Sequence, residues 1–220
     1  FETTGDTPKA LTKALEMESE TAGEVKITAS NHTTLATGDV TIDVPSMAAE
    51  MVTLDLVAVK NANNLGSLKV TDNGNGYAGT FVIKSNTASD ITSLEIDMQD
   101  ADVVLVGNFS AATIGALNGQ EPAADKLKVK SLTIGDGEAT VSKAGVRSNS
   151  TTVSAVYPNA ETGDITIQDY ATVTGNVVLE NDCNTKEIVV DGKIGGNLDA
   201  DVKDALEKEI AIDITISERD

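Results

Sequence analysis

His32 and Cys183 are the only histidine and the only cysteine of the chain. A multi-histidine metal site is therefore excluded, and a Ser-His-Asp triad would have to use His32. His32 stands in SNHTTLATG, which is typical of a turn, and no serine has the glycine pattern of a nucleophile elbow. The sequence predicts an exposed turn histidine and, in Cys183, an unpaired cysteine at a turn.

Acidic residues offer a second kind of chemistry, because alternate carboxylates on a strand share a face and could flank a sugar or bind Ca²⁺. However, 35 acidic residues in 220 produce such pairs often by chance. The aromatic residues are scattered, and arginine occurs only at Arg147 and Arg219. We predict no enzyme and no assigned catalytic or cofactor-binding residue, and leave a calcium site open. The candidate acids are Glu95, Asp97, Asp100 and Asp102 in EIDMQDAD, and Asp199, Asp201 and Asp204 in NLDADVKD.

Glycine- and asparagine-rich segments give weaker signals. DNGNG at 72–76 is similar to part of a cation loop but lacks the closing Glu of an EF-hand, so we interpret it as a turn. Two interpretations are open for the neighbouring Tyr77 and Phe81. Either they form a small contact patch, or Phe81 packs in the core. Gly192, Gly195 and Gly196 are interpreted as turns. Three Asn-x-Ser/Thr triplets are possible glycosylation sites only in a eukaryotic secretory setting. They begin at Asn31, Asn108 and Asn149.

The net charge of −19 and the isoelectric point near 4.2 act against binding to nucleic acid or an anionic membrane surface. No stretch reaches 18 apolar residues, so the sequence predicts no membrane-spanning helix. Aromatic residues make up only 3% of the chain and tryptophan is absent, so small aliphatic side chains must fill the core.

From Glu24 onward the apolar residues follow a period of two, which predicts strands. One motif recurs along the chain. It consists of a polar residue, then Leu or Ile, then any residue, then Ile or Val, and it is soon followed by Asp, Asn or Gly. Its lead positions are separated by 26, 38, 33, 23 and 22 residues, and Phe81 to Val103 adds a step of 22. Such steps, with two or three short strands each, predict the coils of a parallel β-helix, right-handed by the usual crossover preference. The lead positions are Leu68, Leu94, Leu132, Ile165, Ile188 and Ile210.

The two longest steps predict insertions at 108–126 and 143–163, where a solenoid gathers its binding loops. The alternative architecture is an antiparallel β-sandwich, which short strands at intervals of 8–12 residues also fit. Residues 1–23 are predicted as a leader or a short capping helix over 8–17, and 24–220 as one solenoid domain. Within it, 24–60 is either a separate β module or the first coils, and 199–220 is a cap that ends in a strand.

The Thr-, Asp-, Asn- and Gly-rich coils from Ser67 to Asp220, such as SLKVTDNG, DITIQDYA and EIVVDGKI, resemble bacterial exported β-solenoid surface proteins of the adhesin type. The start FETTGDTP is similar to a lipoprotein linker trimmed of its signal. The resemblance implies a secreted or cell-surface protein, including a lipid-anchored outer-membrane form, that contacts a glycan or a protein without catalysis. The alternatives are a carbohydrate-active β-helix enzyme using carboxylates, and a structural spacer.

Overall fold

The computed structural model describes residues 2–4, 15–21, 24–29, 38–44, 50–56, 65–85, 91–115, 126–135, 140–141, 147–148, 151–179, 184–199 and 211–214. Within these ranges the regular structure is entirely β. Seventeen strands belong to one hydrogen-bonded sheet, and the remaining two form a small antiparallel hairpin.

The strands are numbered in chain order. They are β1 (Glu2–Thr4), β2 (Leu15–Thr21), β3 (Glu24–Ala29), β4 (Gly38–Asp43), β5 (Met51–Asp55), β6 (Leu65–Thr71), β7 (Thr80–Ser85), β8 (Ser93–Ile114), β9 (Leu127–Ile134), β10 (Thr140–Val141), β11 (Arg147–Ser148), β12 (Thr152–Val156), β13 (Thr162–Ile167), β14 (Thr172–Val173), β15 (Val177–Val178), β16 (Glu187–Val190), β17 (Lys193–Ile194), β18 (Leu198–Asp199) and β19 (Ala211–Ile214).

The strand pairings establish a parallel β-helix. Among the described strands, only β1 with β4, β2 with β3, and β10 with β11 pair antiparallel. Every other pairing joins a strand in parallel to one from the next coil, as β5 pairs with β7. An antiparallel sandwich would instead join strands that are neighbours in the chain, so that alternative is wrong.

The coils build three faces. Face 1 contains β3, β5, β7, residues 102–107 of β8, 131–134 of β9, 164–167 of β13, β16 and β19. Face 2 contains β4, β6, residues 93–98 of β8 and 127–129 of β9. Face 3 contains residues 108–114 of β8, then β12, β14, β15, β17 and β18. β8 therefore crosses all three faces within one uninterrupted strand.

The core consists of ladders of apolar, mostly aliphatic side chains that stack from coil to coil. On face 1 two such ladders lie two residues apart, and their members are almost completely buried. Burying each of these side chains contributes about 1.5–3 kcal/mol. The first ladder is Val52, Phe81, Val103, Leu132, Ile165 and Ile188, and the second is Leu54, Ile83, Leu105, Ile134, Ile167 and Val190.

Most of the predicted repeat steps correspond to direct neighbours in the sheet. Leu68 lies opposite Leu94, Phe81 opposite Val103, and Leu132, Ile165 and Ile188 follow one another. The step from Leu94 to Leu132 is wrong, because Leu94 lies on face 2 and Leu132 pairs with Val103 on face 1.

The last step is also misplaced. The residue opposite Ile188 is Ile212, and Ile210 lies outside the described residues. An inward–outward alternation looks the same on every face, so the motif alone does not distinguish the faces.

The first strands differ from the sequence prediction in one respect. The helix predicted over 8–17 is wrong at its end, because 15–17 belong to β2, while 5–14 lie outside the described residues. β2 pairs antiparallel with β3, the first strand of face 1. β3 in turn pairs in parallel with β5, so the period-two runs after Glu24 are coils of the solenoid.

The corner between face 1 and face 3 requires an unusual backbone. In three successive coils it contains a residue with positive φ: Gly107 at 99°, Gly135 at 102° and Tyr170 at 63°. Glycine adopts this conformation without steric cost, whereas a tyrosine does not. At Gly107 the neighbouring coil is also very close, because an added Cβ would overlap the carbonyl oxygen of Ser85.

We expect Gly107→Ala to destabilise the protein by about 3 kcal/mol or more, because backbone strain and overlap with the adjacent coil act together. Gly74→Ala is the matched control. Gly74 also has a positive φ of 72°, but an added Cβ there meets nothing within 4 Å. Its expected cost is about 1 kcal/mol. Urea denaturation of both variants measures the difference, and equal losses would contradict the close stacking of the coils.

Candidate binding surface

Glu95, the best acid candidate from the sequence, lies between two lysines on the outer side of face 2. Its Oε1 is 2.6 Å from Lys69 Nζ, and its Oε2 is 2.5 Å from Lys126 Nζ. The Glu95 side chain is only 12% exposed. The two lysines come from the coils before and after, so the carboxylate links three coils. Both of its oxygens are therefore engaged in a structural ion-pair ladder.

Asp97, the second member of the predicted pair, extends this ladder. It lies 3.8 Å from Lys69 and directly opposite Lys128 in the next coil. Lys128 in turn lies 3.2 Å from Glu161. Glu95 and Asp97 do share a face, as the alternation predicts. Their carboxylates face lysines of adjacent coils, so the pair takes part in the ion-pair ladder.

Asp102 is tied to the next coil of face 1. Its carboxylate accepts hydrogen bonds from Lys130 at 2.8 Å and from Ser131 at 2.7 Å. Burial acts to raise the pKa of Asp102, but the hydrogen bonds from Lys130 and Ser131 and the charge of Lys130 outweigh it. The pKa of this carboxyl therefore lies below its ordinary value of 3.8. Asp102 thus acts as a link between coils.

Of the other candidate acids, two have described backbone positions and two do not. Asp100 is exposed at the end of face 2. Asp199 belongs to β18, and Asp201 and Asp204 lie outside the described residues. Among the residues with described positions, no group of three or more His, Cys, Asp or Glu side chains is arranged to hold a metal ion.

The 72–79 segment forms the corner between faces 2 and 1. The Asp72 carboxylate is buried and accepts hydrogen bonds from the Gly74 and Tyr77 amides, at 3.0 and 2.9 Å. Asn73 and Gly76 also have positive φ, so this segment is a tight loop fixed by its own aspartate. The predicted contact patch is wrong, because Tyr77 and Phe81 are both buried.

Several predicted residues lie outside the part of the chain that the structure describes. They include His32, Cys183, Asn31 and Asn149. Asn108 is described and lies half-buried at the start of face 3. Gly192, Gly195 and Gly196 approach the backbone of the preceding coil closely, as turn glycines of a stacked solenoid do.

The predicted insertions are wrong at 108–114 and at β12, whereas β11, inside the second predicted insertion, forms a hairpin with β10 outside the main sheet, as an insertion does. Residues 108–114 are strand, and so is β12 at 152–156, and the two pair with each other in parallel on face 3. Their alternation of Phe109 with Asn108, or Val153 with Thr152, is that of a solenoid wall. Residues 116–125 and 142–146 lie outside the described residues.

On face 3, residues 108–114 and the strands β12, β14 and β15 contain no charged residue, whereas β17 and β18 contain Lys193 and Asp199. The two longest stretches of the chain without Asp or Glu are 103–120 and 139–160, of 18 and 22 residues, and they contribute neighbouring coils of this face. In these coils and the next, the outward residues are half-buried or exposed amides and hydroxyls. Asn108, Thr152 and Thr172 form one row from coil to coil, and this row ends at Lys193. These outward residues are Asn108, Thr152, Ser154, Thr172, Thr174 and Asn176.

Two tyrosines lie at the two ends of the face 3 strands. Tyr157 follows β12 and its amide donates to the carbonyl of Ile114 at 2.9 Å. Tyr170 precedes β14 at the corner where the neighbouring coils have Gly107 and Gly135. Both residues are half-buried, in contrast to the fully buried Tyr77. Face 3 therefore combines small polar side chains with an aromatic ring at each end.

Face 3 was missed from the sequence because clusters of acidic residues were sought, and segments that lack acidic residues were not considered. The pairing of Lys69 and Lys126 with Glu95 depends on coil register, which spacing does not give. The acid-free stretches, in contrast, are visible in the sequence and were the available signal for face 3.

Comparison of the chain with protein-family models, curated proteins and solved structures finds no match. No helix among the described residues is long and apolar enough to cross a membrane. The fold is therefore established by the strand pairing, and the resemblance to exported adhesins stays a prediction.

We expect Glu95→Gln to destabilise the protein by about 2 kcal/mol, because two half-buried lysines lose their shared counter-charge. Asp100→Asn, which changes an exposed acid of the same strand, is the control and is expected to stay within about 0.5 kcal/mol of wild type. Chemical denaturation at low and high salt measures both. A Glu95→Gln protein as stable as wild type would contradict the ladder.

The Asp102 pKa predicts a pH dependence of stability. Because its folded pKa is lowered, this group stabilises the fold above its unfolded pKa, and the contribution is lost as the pH falls through the folded pKa. The stability difference between wild type and Asp102→Asn should shrink as the pH falls below about 4. Lys130→Gln should reduce the same pH dependence. A difference that is constant from pH 6 to pH 2 would rule out this linkage.

Proposed function

We propose that this chain is a non-catalytic secreted or cell-surface module that mediates adhesion by contacting a glycan or a protein through its rigid scaffold. The observation that carries the proposal is the engagement of Glu95, Asp97 and Asp102 with lysines of neighbouring coils. A general acid must release its proton at the reacting bond, and a general base must accept one. Carboxylates that hold adjacent coils together are poorly placed for either task.

The construction of the solenoid supports a binding role. Its side chains are held at fixed spacing by ladders that continue from coil to coil. A surface that is ordered before binding loses little conformational entropy when a partner docks. Many weak polar contacts in a row then add to a useful affinity.

The contact surface in this proposal is the outer side of face 3. Its coils come from the two segments in which the longest repeat steps occur, and residues 116–125 and 142–146 connect to the same coils. Face 2 is the less suitable surface, because its charged side chains already bind one another. The secreted or lipid-anchored location belongs to the same proposal and rests on the resemblance to exported bacterial solenoids.

A glycan array probed with and without EDTA tests this function. We expect binding to at least one surface glycan, no increase in reducing ends over time, and no dependence on Ca²⁺. Release of reducing ends that Asp97→Asn abolishes would show an enzyme instead. An absence of binding to every glycan and to cell-surface protein extracts would contradict adhesion and favour a structural spacer.

A further inference from the structure

We infer that the outer surface of face 3 binds a neutral, hydroxyl-rich polysaccharide and that Tyr170 provides a ring on which a sugar stacks. This inference rests on the proposed function and specifies its ligand class and its site. The occupant is one glycan chain that lies along the axis of the solenoid. It would follow the row that begins at Asn108 and pass beside Ser154.

Charge selects the ligand class. The whole chain has a net charge of −19, so its field repels uronates, sulfated glycans and other polyanions. The outward side chains of β12 and β14 are uncharged, and acidic residues are missing from 139–160 altogether. A cationic partner would be drawn instead to the acidic remainder of the surface. A neutral polyol is the partner for which the hydroxyl-lined and uncharged outer sides of β12 and β14 are suited.

The side chains supply the matching hydrogen-bond chemistry. Hydroxyls of Thr152, Ser154 and Thr172 donate and accept equally, as sugar hydroxyls do. Register places Asn108, Thr152 and Thr172 directly above one another in successive coils. Adjacent strands are about 4.8 Å apart, so the row offers one polar group at each step along the axis.

Tyr170 has a backbone conformation that is unusual for its residue type. Its φ of 63° is strained for a tyrosine. The positive-φ residues at the same corner of the two preceding coils are glycines, in register with Ala171 and Gln168 and not with Tyr170 itself. Strain of this kind is concentrated at functional sites. The Tyr170 amide donates a hydrogen bond to the Asp169 carboxylate at 2.9 Å, and the residue is half-buried. Tyr170 lies two residues before Thr172, so its ring provides a stacking platform beside that row.

The first test replaces Tyr170 with glycine. Tyr170→Gly relieves the backbone strain, so we expect a melting temperature equal to or above that of wild type. We expect the affinity for the neutral glycan identified on the array, or for a soluble β-glucan or mannan probe, to fall by roughly tenfold or more. Tyr77→Phe, which changes a buried tyrosine, is the control and should bind as wild type does. Unchanged binding by a folded Tyr170→Gly protein would overturn the assignment of the ring.

The second test places one charge on each of two outer surfaces. Thr152→Asp adds a carboxylate to face 3, and Thr166→Asp adds one to the same half-buried environment on face 1. We expect Thr152→Asp to weaken glycan binding at least tenfold and Thr166→Asp to leave it within about twofold. Equal effects of the two variants would overturn face 3 as the site.

The outcomes separate this inference from the proposed function. Binding to a neutral glycan that the face 3 variants do not affect overturns the site and leaves the adhesive function. Preferential binding to a polyuronate overturns the neutral ligand class. Binding to no glycan and to no surface protein overturns the proposed function, and this inference with it.

Discussion

The protein depends on the stacking of one coil on the next. No coil has enough apolar surface to bury itself, so Val103 is covered only because Phe81 lies on one side of it and Leu132 on the other. Small aliphatic side chains suit this arrangement, because they fit the narrow interior at every step. The low aromatic content is thus a consequence of the fold.

The outer surfaces follow from the same stacking. An outward residue comes within ion-pairing distance of the residue in the same row of the next coil, so charge can be used to fix the register. Face 2 uses it in this way, with Glu95 between two lysines. Face 3 does not, and its coils are joined by backbone hydrogen bonds and by contacts such as that of the Thr174 hydroxyl with the Val153 carbonyl. Two faces of one scaffold are thereby given different chemistry.

Much of the architecture was predictable from the sequence, because the ladders leave a regular trace in it. The steps from Leu132 to Ile165 and from Ile165 to Ile188 are neighbours in the sheet. The false step from Leu94 to Leu132 arose because β8 continues through three faces without a break, and no glycine or proline marks where it leaves face 2. Corners are set by backbone geometry, which alternation does not record.

The candidate site was less predictable than the fold. Acids such as Glu95 and Asp97 attract attention by their type, but their partners come from residues about 30 positions away and are fixed only by register. The strain at Tyr170 has no sequence signal at all, because it requires knowledge of φ. The proposed surface is therefore recognised by two features, the uncharged outward residues of its strands and the positive φ of Tyr170.

Hydroxyl-radical footprinting with and without saturating neutral glycan tests the central claim most directly. Tyr170 and Tyr157 flank face 3, whereas Met51 is 39% exposed on face 1 and provides an internal control. The account predicts that glycan lowers the oxidation of Tyr170 and Tyr157 and leaves Met51 unchanged. Protection of Met51, or oxidation of Tyr170 at the same rate in both states, would contradict it.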